Sequence, residues 1–359
     1  MLDAAVSSDD AATLSAPAAT AQVHKVHAPP PIYIGGLDRS GKTTLRALLA
    51  SHSNIAIPAV GSNMWTYFYR QFGDLARADN FERCLAAMLR YKHVAFLQPD
   101  PDRLRREFAE GAPTYARLFE LFLVHFAERE QKPRWGVQTG LIERYADDLF
   151  DAHPGVKIVH MLRDPRDRYQ ASIDKWPKGK GRAGGAAARW RYSTKLAERH
   201  ARRHADGYLI VRFEDLVAQT EATVREVCSF IGEQFEPAMM RMDGAIKHRA
   251  LLLDGRSPSD ASILSDRYIG QFRSSVVTSE IAFIQMHTAR RMRNHGYEPD
   301  RLGMSVTDKL RFACYDWPNQ LVRMAAWQTV ESAQQRLPRL VHRRPGRRMI
   351  LDSSEGQGA

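Results

Sequence analysis

The stretch from Gly36 to Thr43 has the residue types and the spacing that bind phosphate groups. It reads Gly-Leu-Asp-Arg-Ser-Gly-Lys-Thr, with glycine at the first and sixth positions, lysine at the seventh and a hydroxyl at the eighth. Main-chain N–H groups can point at one anion where glycines allow a tight bend, and a helix that follows adds its positive dipole end. The residues of this phosphate loop (36–44) that we predict to bind the ligand are Arg39, Ser40, Gly41, Lys42, Thr43 and Thr44.

A second cation follows another apolar run. Residues 156–162 read Val-Lys-Ile-Val-His-Met-Leu, and Arg163 comes directly after them. A nucleotide hydrolase of the loop type needs an aspartate at such a strand end to hold Mg²⁺. Here the aspartate, Asp164, comes one residue later, whereas the guanidinium of Arg163 offers a fork that matches phosphate. Two anion sites together indicate a nucleotide that is phosphorylated at two positions.

Apolar strands alternate with helical patterns along the central part of the chain. Strands are predicted at 32–34, 156–162 and 208–213, with a short one near 133–137, and helical periodicity fills the segments between them. This alternation is typical of an α/β fold, a parallel sheet flanked by helices, whose ligands sit at the carboxyl ends of strands. The phosphate loop and Arg163 both fall at such ends.

Composition divides the chain into four parts. The 359 residues are 44% hydrophobic, which is enough for a large core. Residues 1–30 are predicted to be a disordered arm, 31–300 the α/β domain, 301–337 a helical extension, and 338–359 a basic, then polar tail. The basic run of the tail is predicted to be solvated, with a weak membrane-surface contact through this C-terminal segment as the alternative.

Charge and cysteine content narrow the class of protein. The net charge of +11 suits an anionic ligand, a nucleic acid or an acidic surface equally, but no nucleic-acid recognition motif accompanies it. Three scattered cysteines predict neither a disulfide framework nor a zinc cluster. No signal peptide and no apolar run of membrane length is present, which favours a cytoplasmic protein. The oligomeric state is left open.

The motifs, taken in order, resemble those of the sulfotransferases that use 3′-phosphoadenosine 5′-phosphosulfate (PAPS). Residues 36–46, 159–167, 211–217 and 269–273 carry the resemblance. It implies an α/β fold of the sulfotransferase type and transfer of a sulfuryl group to a hydroxyl or amine, leaving adenosine 3′,5′-bisphosphate (PAP). It also implies that the phosphate loop holds the 5′-phosphosulfate, that Arg39 and Lys42 are catalytic and that Arg163 binds the 3′-phosphate. Basic side chains would then take the place of a metal ion.

Several positions depart from the family pattern. The serine that accompanies the 3′-phosphate arginine in the family falls on Ala171 in this chain, and Ser172 could replace it if the helix were rotated. In the loop, Asp38 stands where the family has proline, and Lys42 where it has threonine. The family's glutamate base has no counterpart here. The ionisable residues that remain as candidates for it are His93, His125 and Glu143.

Two alternatives to sulfuryl transfer stay open on the sequence alone. The Gly-Lys-Thr of the loop favours an ATP-dependent kinase, in which Asp164 would hold Mg²⁺. The missing base favours a protein that binds PAP or PAPS without catalysis. The acceptor could be a small molecule, a glycan or a lipid. Aromatic residues around Trp65 would be either core or the acceptor's wall, and residues 178–185 either a mobile lid or a plain loop.

Overall fold

The fold is that of a computed structural model, which describes residues 29–242, 268–337 and 344–351. Five parallel strands form its sheet: β1 (Ile32–Gly36), β2 (Ile55–Ala56), β3 (Arg134–Gln138), β4 (Lys157–Leu162) and β5 (Tyr208–Arg212). Their order is β2-β3-β1-β4-β5. Strands β1 and β4 pair from Ile32 with Lys157 to Gly36 with Met161. This register sets the carboxyl ends of two central strands side by side.

Helices connect the strands and continue beyond the sheet. The first eight are α1 (Lys42–Ala50), α2 (Met64–Tyr67), α3 (Ala78–Leu89), α4 (Lys92–Ala95), α5 (Pro101–Ala109), α6 (Tyr115–Arg129), α7 (Ala146–Ala152) and α8 (Pro165–Lys175). The others with described residues are α9 (Ala183–Arg203), α10 (Phe213–Ala218), α11 (Thr220–Ile231), α12 (Ala238–Arg241), α13 (Phe272–Ser275), α14 (Thr278–Asn294), α15 (Val306–Arg311) and α16 (Trp317–Arg336). A π-helical stretch, Phe312–Asp316, joins α15 to α16. Single 3₁₀ turns occur at Ile142–Arg144, Pro177–Gly179 and Arg347–Met349.

Neighbouring residues of the central strands are buried on opposite faces of the sheet. Tyr33 and Ile158 join a cluster with the residues of α3 and α6, whereas Ile34 and Val159 join a cluster with those of α1 and α11. Helices thus cover both faces, as a parallel sheet requires. The predicted α/β fold with a parallel sheet is confirmed. Trp65 is 2% exposed and belongs to the first cluster, so it is a core residue.

The C-terminal helices pack on the rest of the protein. The main-chain N–H of Gly184 donates to Oε1 of Gln320 in α16 at 2.8 Å. A Cβ at Gly184 would lie 1.9 Å from the main-chain oxygen of Gln320, so only glycine fits this crossing. Of the residues 178–185 that were predicted to be a lid or loop, the last three form the first turn of α9. The glycines there allow a close approach between helices.

Parts of the predicted arm and tail lie outside the described residues, namely 1–28, 338–343 and 352–359. The described tail residues contact the domain: the N–H of Leu351 donates to the carbonyl of Arg90 at 2.8 Å, and Ile350 forms a β-bridge with Tyr91. Among the described helices, none combines the length and apolarity needed to cross a membrane.

Candidate functional site

The phosphate loop turns sharply between β1 and α1. Gly36, Arg39 and Gly41 all have positive φ angles, of 103°, 70° and 90°. A Cβ at Gly36 would lie 2.2 Å from the main-chain oxygen of Met161, and one at Gly41 would lie 2.3 Å from the ring of Phe213. Glycine is therefore required at both positions. Helix α1 begins directly after the turn, and the unpaired N–H groups of its first turn form the arrangement that binds anions.

Lys42 turns back onto the loop and fixes a positive charge there. Its Nζ donates to the carbonyl oxygen of Gly36 at 2.7 Å and lies 3.4 Å from Oδ1 of Asp38. The Lys42 side chain is 5% exposed, whereas that of Asp38 is 68% exposed. The ammonium of Lys42, helped by the guanidinium of Arg168, lowers the pKa of Asp38. Asp38 is thus an ionised carboxylate at the rim of the loop.

Arg163 lies at the carboxyl end of β4 and contacts the loop directly. Its Nη1 donates to the carbonyl of Arg39 at 3.1 Å, and its Nη2 to the carbonyl of Tyr268 at 2.7 Å. The guanidinium lies 4.6 Å from the ring centre of Phe213, on which Gly41 also packs. Arg163 is 5% exposed, its Nε has no partner within the described part of the chain, and burial lowers its pKa. The second predicted cation therefore adjoins the loop.

Residues of three sequence motifs, 159–167, 211–217 and 269–273, form hydrogen bonds next to Arg163. Glu214, at the start of α10, accepts hydrogen bonds from the N–H of Asp164 at 3.0 Å and from the hydroxyl of Tyr297 at 2.7 Å. Asp167 accepts from the N–H groups of Gly270 at 2.6 Å and Phe272 at 3.1 Å. These bonds fix the start of α8 and hence the position of Arg163.

Ser172 lies one residue beyond the main-chain contact between α8 and the loop. Arg39 donates from Nε to the carbonyl of Ala171 at 3.2 Å, so the position where the family has serine is the one that touches the loop. The hydroxyl of Ser172 donates to the carbonyl of Arg168 at 2.8 Å, and Ser172 lines a cavity. The structure brings the loop residues together with Arg163, and it places Ser172 at the cavity instead.

This cavity, of about 520 Å³, opens beside the loop and is bordered by α8, α9 and α16. Asp38 is the one acidic side chain among the described residues of its wall. The basic side chains are Arg168, Lys178, Arg182, Arg189 and Arg323, and the aromatic and large aliphatic ones are Tyr169, Ile173, Trp176 and Trp327. The cavity can therefore hold a molecule that is partly anionic and partly apolar.

The three candidate bases do not line this cavity. Glu143 is fully buried, and its carboxylate accepts a hydrogen bond from Ser193. His125 pairs with Glu107 at 2.8 Å. His93 lies 2.6 Å from the carbonyl of Gly61, and burial lowers its pKa. Each of the three side chains is buried or paired and therefore stabilises the local structure.

One group of described residues has ligating atoms close enough for a metal ion. The ring nitrogens of His200 and His204 and the carboxylate of Asp147 lie within 4.8 Å of one another. The same carboxylate is paired with Arg199 at 2.9 Å and with Arg203 at 3.2 Å, so a cation would compete with two guanidinium groups. Asp147 lies on α7, His200 on α9 and His204 directly after α9, so this group is not part of the loop.

Sequence reasoning missed Arg168 and Phe213. Arg168 carried a signal, because it precedes Ser172 by one helical turn and so shares its face of α8. Phe213 carried none, since its role depends on Gly41 and Arg163 reaching the same ring from distant parts of the chain.

Comparisons with known proteins identify the family and support the fold. The family model described as "Sulfotransferase family" matches residues 30–237, more than half of the chain. A search of curated proteins found none that matches significantly. The solved sulfotransferase domain of the Synechococcus PCC 7002 olefin synthase superposes with a TM-score of 0.51 at 19% identity, covering 75% of this chain and 96% of that one. The sulfotransferase domain of the curacin biosynthetic pathway gives 0.50 at 16%, covering 76% and 99%. At these identities the two structures support the fold, and the family match shows that this chain belongs to the sulfotransferase family.

Proposed function

We propose that this protein transfers a sulfuryl group from PAPS to a hydroxyl or amine of a small-molecule acceptor. The observation that carries the proposal is the direct contact between the two anion sites, Nη1 of Arg163 to the carbonyl of Arg39 at 3.1 Å. One nucleotide with phosphate groups at both its 3′ and 5′ positions can span them. The buried Nε of Arg163, which has no partner among residues 29–242, 268–337 and 344–351, fits a phosphate oxygen.

In this proposal the loop binds the 5′-phosphosulfate and Arg163 the 3′-phosphate. PAPS supplies an activated sulfuryl group. The N–H groups and hydroxyls of residues 40–44 bind its oxygens, while Arg39 and Lys42 neutralise the charge that builds on PAP as the bond from sulfur to the phosphate oxygen breaks. Fixed cations at such a position are worth several kcal/mol in the transition state. In this scheme the side chains of Arg39 and Lys42 supply the positive charge, so no metal ion takes part.

Asp38 is the group that we assign to the acceptor proton. It belongs to the loop, lines the cavity and lies 3.4 Å from Nζ of Lys42, so an acceptor hydroxyl in the cavity can donate to it while facing the loop. Its lowered pKa keeps it ionised at neutral pH. A weak base suffices where the transition state is loose, as in phosphoryl transfer, because the attacking oxygen then gains little positive charge before the leaving bond breaks.

The kinase alternative conflicts with the position of Asp164. This carboxylate is 5% exposed and forms an ion pair with Arg166 at 2.7 Å. A magnesium ion would have to displace that guanidinium. The geometry therefore favours the sulfuryl donor over ATP.

Thermal shift in a buffer with EDTA tests the proposal. PAP should raise the melting temperature and 5′-AMP, which lacks the 3′-phosphate, should raise it much less. ATP with Mg²⁺, measured without EDTA, should have little effect. Stabilisation by ATP with Mg²⁺ and none by PAP would establish the kinase instead. Binding of PAP without PAP release from PAPS, across a panel of hydroxyl and amine acceptors, would establish the non-catalytic alternative.

A further inference from the structure

Arg168 is a buried cation with two unsatisfied donors. It is 4% exposed and lines the cavity beside the phosphate loop, and neither its Nε nor its Nη1 has a hydrogen-bond partner among the described residues. Burial and the nearby charges of Arg189 and Arg163 lower its pKa to about 10, while Asp38 opposes them. A guanidinium in this state is costly to the folded protein, and a bound anion would remove the cost.

The rest of the wall fits the same kind of ligand. Five basic side chains and one acidic side chain line the cavity, so its potential is positive. Trp176 is 49% exposed at its wall, and Trp327 contributes a second indole. An exposed tryptophan next to several cations suits a molecule with an apolar body and a charged group.

We propose that this cavity is the acceptor site and that the acceptor is amphipathic and carries a carboxylate, phosphate or sulfate group, which Arg168 binds. The inference rests on the proposed function, since it names the acceptor class of that site. The acceptor hydroxyl would lie near Asp38, the anionic group near Arg168 and Arg189, and the apolar body against Trp176 and Trp327.

The nucleotide side of α8 is a different face. Asp167 there binds the N–H groups of Gly270 and Phe272, and Arg163 binds the carbonyl of Tyr268. Arg168 is the next residue after Asp167, and a helix turns by 100° per residue, so its side chain projects away from that segment. The anion at Arg168 is therefore assigned to the acceptor and not to the 3′-phosphate of the donor.

The test uses two probes of the same shape, 1-naphthylacetate and its neutral analogue 1-naphthylacetamide. Each is titrated by calorimetry into the full-length protein saturated with PAP. The carboxylate should bind roughly tenfold or more tightly than the amide, the size expected for one charge-assisted hydrogen bond. Arg168→Met should remove that difference and leave PAP affinity unchanged. Arg225→Met, at an exposed position of α11, is the matched control and should change neither.

The stability of Arg168→Met gives a second readout. Since Nε and Nη1 of Arg168 have no partner in the part of the chain that the structure describes, the variant should melt at the same temperature as the unchanged protein or higher, which a structural arginine would not allow. Equal or undetectable binding of the two probes would overturn the inference. A preference for the carboxylate probe that persists in Arg168→Met would overturn it as well. Neither result would contradict the proposed function. Loss of PAP affinity in that variant would assign Arg168 to the donor and overturn it too. Failure of the unchanged protein to bind PAP would refute the proposed function, and the inference with it.

Discussion

Replacing Arg163 with alanine should weaken the binding of PAP more than that of any nucleotide without a 3′-phosphate. In the structure the guanidinium adjoins the loop and is 5% exposed, and no described residue accepts a hydrogen bond from its Nε. A hydrogen bond from a charged donor contributes about 1.5–3 kcal/mol. Its loss corresponds to a rise of roughly 10- to 150-fold in the dissociation constant of PAP.

Arg163 also supports the loop, and the assay must separate the two roles. The variant leaves the carbonyls of Arg39 and Tyr268 without their donors, at about 1–3 kcal/mol each where water cannot reach them. Removal of a desolvated guanidinium offsets part of this loss. Urea denaturation of the variant measures the net change in the free energy of unfolding.

Calorimetry with PAP and 5′-AMP, on the unchanged protein and on Arg163→Ala, forms a double-mutant cycle between the side chain and the 3′-phosphate. Direct contact predicts a large loss for PAP and a loss of about twofold or less for AMP, within the roughly 0.3–0.5 kcal/mol by which independent changes fail to add. Equal losses for the two nucleotides would mean that Arg163 only supports the loop. Unchanged PAP affinity would remove it from the site altogether. Arg225→Ala, at an exposed ion pair with Glu221, is the control.

Two further predictions concern the sheet beneath the site. Gly36 has a φ of 103°, and a Cβ there would lie 2.2 Å from a main-chain oxygen of β4. Gly36→Ala should therefore lower the free energy of unfolding by at least ~2 kcal/mol in urea titration and abolish PAP binding in calorimetry. Gly303→Ala, whose Cβ would meet nothing within 4 Å, is the control and should do neither. Burial lowers the pKa of His160 to about 4, so only the unfolded chain takes up a proton there as the pH falls below about 6.5. Stability should therefore drop by roughly 2–4 kcal/mol between pH 6.5 and pH 4. His160→Gln should flatten that part of the urea midpoint profile, and an unaltered profile would contradict the assignment.

The part of the site that the sequence predicted depends on short-range rules. Glycine spacing determines the loop, apolar runs determine the strands, and a parallel sheet brings the ends of neighbouring strands together, so the contact between the loop and Arg163 followed from local pattern alone. The same rules explain why the strands β1 and β4 were predicted close to their observed bounds.

The part that was not predicted depends on packing between distant segments. The cavity exists because α16 docks on α9, which brings Trp327 to Arg168 across more than 150 residues of sequence. Gly184 and Gly185 favoured a loop prediction because glycine destabilises helices. In the structure they are helical, because the close packing of α9 on Gln320 of α16 outweighs that low helix propensity. Helical periodicity around Trp65 fits a core face and an acceptor wall equally well, and only burial distinguishes them.

Asp38, which departs from the family pattern, and Ser172, which follows the departure at Ala171, line the same cavity beside the loop. Asp38 is 3.4 Å from Nζ of Lys42, and its pKa is lowered by both Lys42 and Arg168. Ser172 bonds to the carbonyl of Arg168 and lines the same cavity. The carboxylate of Asp38 offsets the charges of Lys42 and Arg168, so these three side chains form one electrostatic unit. On the donor side the glycine turn and Arg163 keep the family pattern, and Ala171 departs from it. A protein that acts on a different acceptor is expected to vary at the wall that contacts the acceptor, as Asp38 does.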